Sequence, residues 1–525
     1  MPDEGSGDLE GPPFSTAARA LMGIAVGMVL AVALVLRFWA RSDLWLDEAL
    51  TVNIAAQPLH ELPSYLRRDG APPLFYLLLH FWMGWFGTSD LAVRSLSGVL
   101  GVATLPLAWL AGRRIGGRAG GCATLLLLAS SPFAVRYDTE TRMYALVVLL
   151  TVLGLISLER ALRVPRVGTL VAVGAVTGLL LYTQYWSIYL IGATSAWLAW
   201  RAWRGSPPHR GGARWSLAAM AIGCLTFVPW LPIFLFQSHH TGTPWATPAS
   251  FATMVGAVEA FTGGTDNAGR ALNLIFFSLV ALGLFGVAVD RHHIQLDIRG
   301  HPPGRAIGIV VGGTLAAATV GGILSNSTLQ ARYASVVFLL VVLLAAIGLT
   351  TVGDRRVRAA LLATVVIAGL AESIPNVTAN RTQAGEVAAA IAAHGRTGDV
   401  VAYCPDQLGP AVNRLLPRGR YLQTTFPRGT GPAFINWVDY ATATRSASAS
   451  MFADRLEAMA TPGRQIFLVW TAGYRPFGSK CSDIAQTLRD GGGFTTTTPV
   501  VGNAAEFGQA MTVVEFAPVR RRALR

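Results

Sequence analysis

Eleven runs of about twenty mostly apolar residues dominate the chain, at 20–40, 91–112, 119–135, 143–159, 167–185, 187–203, 215–236, 271–289, 306–324, 332–351 and 358–374. At 1.5 Å per helical residue, such a run matches the roughly 30 Å hydrocarbon core of a bilayer. No water reaches backbone amides there, so each run has to satisfy its hydrogen bonds internally, as an α-helix. The sequence therefore predicts an all-α polytopic membrane protein with about eleven transmembrane helices. Composition agrees: 52% of residues are hydrophobic and 14% charged, against roughly 25% charged in soluble domains.

The formal net charge is +13, and Lys480 is the only lysine. A basic chain can bind nucleic acid, but these arginines form short clusters between apolar runs, which encodes topology and not a nucleic-acid surface. Residues 1–19 are acidic and Gly/Pro-rich and read as a disordered cytoplasmic tail. Leu21–Leu36 leads into Arg37, Phe38 and Trp39 without a small-residue cleavage site, so it reads as an anchor.

One further run, Pro72–Phe86, would be about 21 Å long as a helix, too short to cross. It carries Phe75, Tyr76, Phe81, Trp82, Trp85 and Phe86, as an interfacial helix does. If it stays at the interface and the N-terminus is cytoplasmic, all basic clusters face the cytoplasm: Arg113/Arg114/Arg118, Arg160/Arg163/Arg166, Arg201/Arg204/Arg210/Arg214, Arg291/Arg299/Arg305 and Arg355/Arg356/Arg358. If it crosses, all of them face outward. The positive-inside rule selects eleven spans; the alternative is an even count with a cytoplasmic C-terminal tail. Residues 20–374 are then a transmembrane module with a first outer loop at 41–90, and 375–525 form an extracytoplasmic domain. In that domain Asp399–Tyr403 and Gln465–Trp470 read as buried strands, and Gly385–His394 and Cys481–Arg489 as helices, giving a small α/β fold. Cys404 and Cys481 can pair if it lies outside the cell.

This topology collects polar residues on the outer side. The first loop holds Asp47, Glu48 and Asp69, the second Arg136, Asp138, Glu140 and Arg142 ahead of Tyr144, and the third His239, His240, Glu259 and Asp266, while Arg332-Tyr333 opens the tenth span. Carboxylates and arginines at one membrane interface suggest a reaction site. A carboxylate can take the proton from an acceptor hydroxyl that attacks a sugar carbon. An arginine can neutralise a departing phosphate. Nucleotide sugars are cytoplasmic, so an outward-facing transferase needs a donor that has already crossed, such as a polyprenyl-phosphate sugar.

Each residue also has a plainer reading. Asp47 can cap a helix over Glu48–Ala56. Arg142 and Arg332 can snorkel at the interface. Asp138 and Glu140 can be solvated loop carboxylates, and His239-His240 a polar loop. No metal-ligand motif is present, so no cofactor is assigned; a divalent cation has no ligand set to support it.

The first loop resembles that of the GT-C superfamily of membrane glycosyltransferases, the branch with protein O-mannosyltransferases, aminoarabinose transferases and RgtA-like enzymes. Trp45-Leu46-Asp47-Glu48-Ala49 is similar to their acidic motif, and Asp69 through Tyr76 (DGAPPLFY) to their Asp-x-His-Pro-Pro-Leu segment. Arg94 sits at their span-opening arginine, Glu140-Thr141-Arg142-Met143-Tyr144 at their Glu-x-Arg-Met-Tyr loop, and Leu181–Tyr185 at a Leu-Tyr-Thr-His-Tyr segment. Ala71 and Gln184 stand where the family has histidines. The resemblance implies an inverting transferase. In it Asp47 is the base, Glu48 and Glu140 are supporting acids, and Arg142, Tyr144, Arg332 and Tyr333 contact the donor phosphate. Asp69, Asp138, Tyr182, Gln184 and Tyr185 would line the acceptor and donor pocket. The sugar would be of the mannose or arabinofuranose class, and the acceptor an envelope glycan, lipid or protein at a bacterial cell membrane. A transporter or flippase for lipid-linked glycans is the rival; it would want ionisable residues at mid-span. A non-catalytic glycan-binding scaffold is the other.

Overall fold

The computed structural model describes residues 15–205, 207–263, 267–298, 302–325, 327–460 and 463–519; Asp266 and Arg299 lie outside them. The chain divides into two compact units. The first comprises Met1–Ala40, Arg94–Pro232 and Pro248–Val377, and the second Arg41–Val93, Ile233–Thr247 and Thr378–Arg525. The first loop groups with the C-terminal residues in the second unit.

The polytopic α-helical class holds, although not every expected span is one continuous helix. Among the described residues seven helices are long and apolar enough to cross a membrane. The expected spans 91–112 and 119–135 fall on two helices within Asp90–Ala129, separated by non-helical backbone at Gly116 and Gly117. Gly117 has φ +63°, a conformation other residues resist, so the chain turns there between the two helices. The expected 119–135 span ends early, at Ala129, and Pro132–Asp138 forms a separate short helix. Its start is specified locally: the Ser131 hydroxyl accepts a hydrogen bond from the Ala134 amide at 3.3 Å, and Pro132 needs no amide partner in the first turn. Val167–Thr183, at 17 residues, is shorter than a full span. The 271–289 run stays helical only to Phe285 and then pairs Gly286–Ala288 with Ile294–Leu296 as a hairpin. The first helix begins at Thr16, capped by Ser15, so it takes up the end of the expected tail.

The core of this unit is Ser335–Thr350, whose residues are buried from Ser335 to Leu349. Small residues let a neighbouring helix approach it backbone to backbone: a Cβ on Gly283 would strike the Leu344 carbonyl, and one on Gly348 the Leu279 carbonyl.

The second unit carries a five-stranded sheet ordered Leu422–Thr425, Val400–Cys404, Ile466–Trp470, Thr512–Pro518, Phe494–Val500. The first three strands are parallel and the last two antiparallel. Val400–Cys404 is buried throughout, as a central strand covered on both faces must be. Helices Ala384–His394 and Lys480–Asp490 flank the sheet, within a residue or two of expectation. Cys404 and Cys481 form a disulfide. From the first loop come the helices Leu46–Ala55, Leu62–Asp69 and Leu74–Phe86, the last being the run that reads as interfacial.

Candidate functional site

In the first unit the second acidic connection is not a solvated loop. Asp138, Thr139, Glu140 and Thr141 are consecutive and all buried, none more than 5% exposed. An aromatic chain holds the segment: Phe133 packs against Phe261 and Phe338 at 4.9 and 4.6 Å, and Tyr137 bridges Phe133 to Tyr144 at 4.6 and 4.9 Å. Buried carboxylates need partners. Asp138 has Arg37, whose Nε lies 2.8 Å from its Oδ2. Arg37 is itself buried and also donates to the carbonyls of Ala33, Ala129 and Leu128 at 2.9–3.1 Å. Gly101 leaves the space the Asp138 carboxyl occupies. Burial pushes the Asp138 carboxyl up to about 6 from an ordinary 3.8, against the pull of Arg37. Glu140 lies 3.3 Å from Arg136, one helical turn away. Arg142 is half-buried, and its carbonyl accepts from the Ser97 hydroxyl at 3.3 Å. Tyr144 is buried at the head of helix Tyr144–Arg163.

Two further segments meet in this unit. Helix Val167–Thr183 ends at Gln184, and a 3-10 turn, Ala331–Ala334, precedes Ser335–Thr350. Trp186 stacks on Tyr333 at 5.3 Å with 15° between the rings, and the Ser335 hydroxyl donates to Gln184 Oε1 at 3.3 Å. Arg332 stands over the Tyr333 ring at 5.6 Å. Gln184, Tyr185, Arg332 and Tyr333 are therefore brought together. Tyr185 accepts from Trp230 Nε1 at 2.9 Å, and Tyr182 donates to the Thr226 carbonyl at 2.7 Å.

In the second unit Asp47 does not cap a helix. The helix starts at Leu46 with Trp45 at the cap, and Asp47 and Glu48 both sit in its first turn, where the helix dipole favours carboxylates. Their environments differ. Asp47 is half-exposed, while Glu48 is fully buried and 3.6 Å from Arg381, itself buried. Asp69 accepts a 2.7 Å hydrogen bond from the buried Tyr76, which fixes the turn at Gly70 (φ +87°) against the helix that follows. His239 and His240 end helix Leu231–His240 and do not form a loop; His240 is 3.1 Å from Asp439. Among the described residues no three His, Cys, Asp or Glu side chains cluster to hold a metal ion.

Arg37 and Arg381 are partners that the sequence did not single out. Arg37 follows an apolar run, as an interface arginine would, and Arg381 carries no local signal.

The family model described as dolichyl-phosphate-mannose-protein mannosyltransferase matches residues 70–233. No curated protein matches the chain by sequence. Among solved structures the chain is similar to ArnT from Cupriavidus metallidurans bound to undecaprenyl phosphate: TM-score 0.56 at 14% identity, covering 95% of this chain and 98% of that one. The apo state of the same protein gives 0.57 at the same identity and coverage. The Archaeoglobus fulgidus oligosaccharyltransferase tethered with an acceptor peptide gives 0.54 at 10% identity, covering 97% of this chain and 75% of that one.

Proposed function

From the GT-C superfamily fold that this multi-pass membrane chain has, we propose that it is an inverting glycosyltransferase. It takes a sugar of the mannose or arabinofuranose class from a polyprenyl phosphate and places it on an envelope glycan, lipid or protein. The observation that carries this reading is the buried acidic segment Asp138–Thr141 between two helices able to span a membrane. Burying charge there is costly and is retained where it serves a reaction. ArnT, with the same fold, was solved with undecaprenyl phosphate, and that supports a polyprenyl-phosphate donor here.

In this reading Asp47 is the base. It is partly exposed, so an acceptor hydroxyl can reach it, and it sits in the first turn of its helix, from which it can accept the proton. The sugar carbon is attacked in a single displacement and the phosphate leaves. Arg142 and Arg332 neutralise the leaving phosphate, with Tyr144 and Tyr333 beside it. Glu48 and Glu140, each on an arginine, are supporting acids. Asp69, Asp138, Tyr182, Gln184 and Tyr185 shape the pocket. The Cys404–Cys481 disulfide supports an extracytoplasmic C-terminal domain, because such bonds persist in oxidising compartments.

The test is transfer by the purified full-length protein from a panel of polyprenyl-phosphate sugars to envelope acceptors. Transfer from one of them, and none from nucleotide sugars, is the expected result. Turnover with none of the lipid-linked donors would sink the proposal.

A further inference from the structure

Within the first unit the helices enclose a cavity of about 340 Å³ that the proposed reaction does not use. Its walls are aliphatic along most of their length, with Leu155, Leu158, Val176, Leu180 and Ile307 typical of the lining. At one end the character changes. Arg114, Glu159 and Arg163 line it there, with Arg114 Nη1 at 2.9 Å from Glu159 Oε2 and Arg163 Nη2 at 2.5 Å from Glu159 Oε1. Two arginines and one glutamate leave this end with a net charge of +1 (2 − 1). Arg163 is 69% exposed, so the charged end opens outward. It is also remote from the candidate site: Tyr144 heads the same helix, and Glu159 lies about 22 Å further along its axis at 1.5 Å per residue.

An apolar slot with a cationic mouth suits an anionic amphiphile. We propose that this cavity holds one acyl chain of an anionic glycerophospholipid, with its phosphate on Arg114 and Arg163. Guanidinium groups each carry five donors in a plane that fits phosphate oxygens, so both can bind phosphate while holding Glu159. The volume sets the size of the tail. A cavity of about 340 Å³ takes only a short stretch of hydrocarbon. That is the inner part of one acyl chain and far less than a polyprenyl tail. Its charged mouth is thus separate from the residues proposed to hold the donor phosphate.

Native mass spectrometry of the full-length protein in detergent, titrated with phosphatidylglycerol, phosphatidylcholine of the same chain length and polyprenyl phosphate, tests this. Wild type is expected to form one tight adduct with phosphatidylglycerol, at least fivefold stronger than with phosphatidylcholine. Leu158→Trp, which fills the slot, should abolish it. Ala306→Trp, at a half-exposed wall position, gives the same readout should the first variant fail to fold. The charge-removing triple change Arg114→Gln, Glu159→Gln, Arg163→Gln should bring both phospholipids to equal affinity. Equal binding of both to wild type, an adduct unchanged by the filling variants, or displacement of phosphatidylglycerol by polyprenyl phosphate would each overturn the assignment.

Discussion

The two acidic stretches of this chain, Asp47-Glu48 and Asp138-Thr139-Glu140, read alike in sequence but are built differently. In the second, both carboxylates are buried and each has an arginine beside it, Arg37 or Arg136. In the first, the pair is split: Glu48 is buried near Arg381, whereas Asp47 is partly exposed in the first turn of a helix. A carboxylate paired with a buried guanidinium acts as a positioning group, since removing either partner leaves a buried charge uncompensated. A half-exposed carboxylate at a helix N-terminus can exchange protons with a substrate. The difference separates positioning acids from the proposed base.

Substitutions can break that distinction. The largest effect is expected from Asp47→Asn: initial-rate assays should show turnover down about 10²–10⁴-fold, the range for losing a general base, while thermal unfolding in detergent and donor-lipid binding stay as in wild type. Arg37→Met should act on stability instead. It leaves Asp138 buried without its cation, at a cost of about 3–5 kcal/mol, read as a lowered unfolding midpoint. Adding Asp138→Leu should recover most of it; no recovery would mean Arg37 acts mainly through its three carbonyl contacts. Glu48→Gln should cost about 2–3 kcal/mol by the same route, less than Arg37→Met because its pair is longer, 3.6 against 2.8 Å. Turnover of the folded fraction should fall less than tenfold.

The smallest effect is a pH slope. Asp406, buried beside Tyr440 and Gln407, has its carboxyl pushed up to about 7 by desolvation. A folded-state value raised above the ordinary 3.8 means the stabilising contribution is complete below about 4 and is lost as pH rises through about 7. Asp406→Asn keeps an acceptor for the Tyr440 hydroxyl and should flatten that slope in unfolding curves between pH 4 and 8. An unchanged slope would show that the carboxyl does not titrate there.

What sequence made legible follows from how local each signal is. Spans, the aromatic helix Leu74–Phe86 and the strand Val400–Cys404 depend on runs of neighbouring residues, and they appear where the runs lie. The basic loop between the spans 91–112 and 119–135 was legible too, and the break at Gly116–Gly117 falls in it. The fate of Asp138 and Glu48 was not legible, because their partners Arg37 and Arg381 come from distant segments and each looks ordinary in its own neighbourhood. Exposure was missed for the same reason: Asp138–Thr141 reads as a hydrophilic loop until Phe133, Phe261 and Phe338 are seen to pack around it.

The mechanism rests on one displacement at the sugar carbon with Asp47 receiving the proton. The anomeric configuration of the first product, read by NMR after transfer from a polyprenyl-phosphate sugar of known anomer, addresses it directly. The account predicts the opposite anomer from the donor. Product of the same anomer as the donor would require two displacements and a covalent intermediate, and would contradict it.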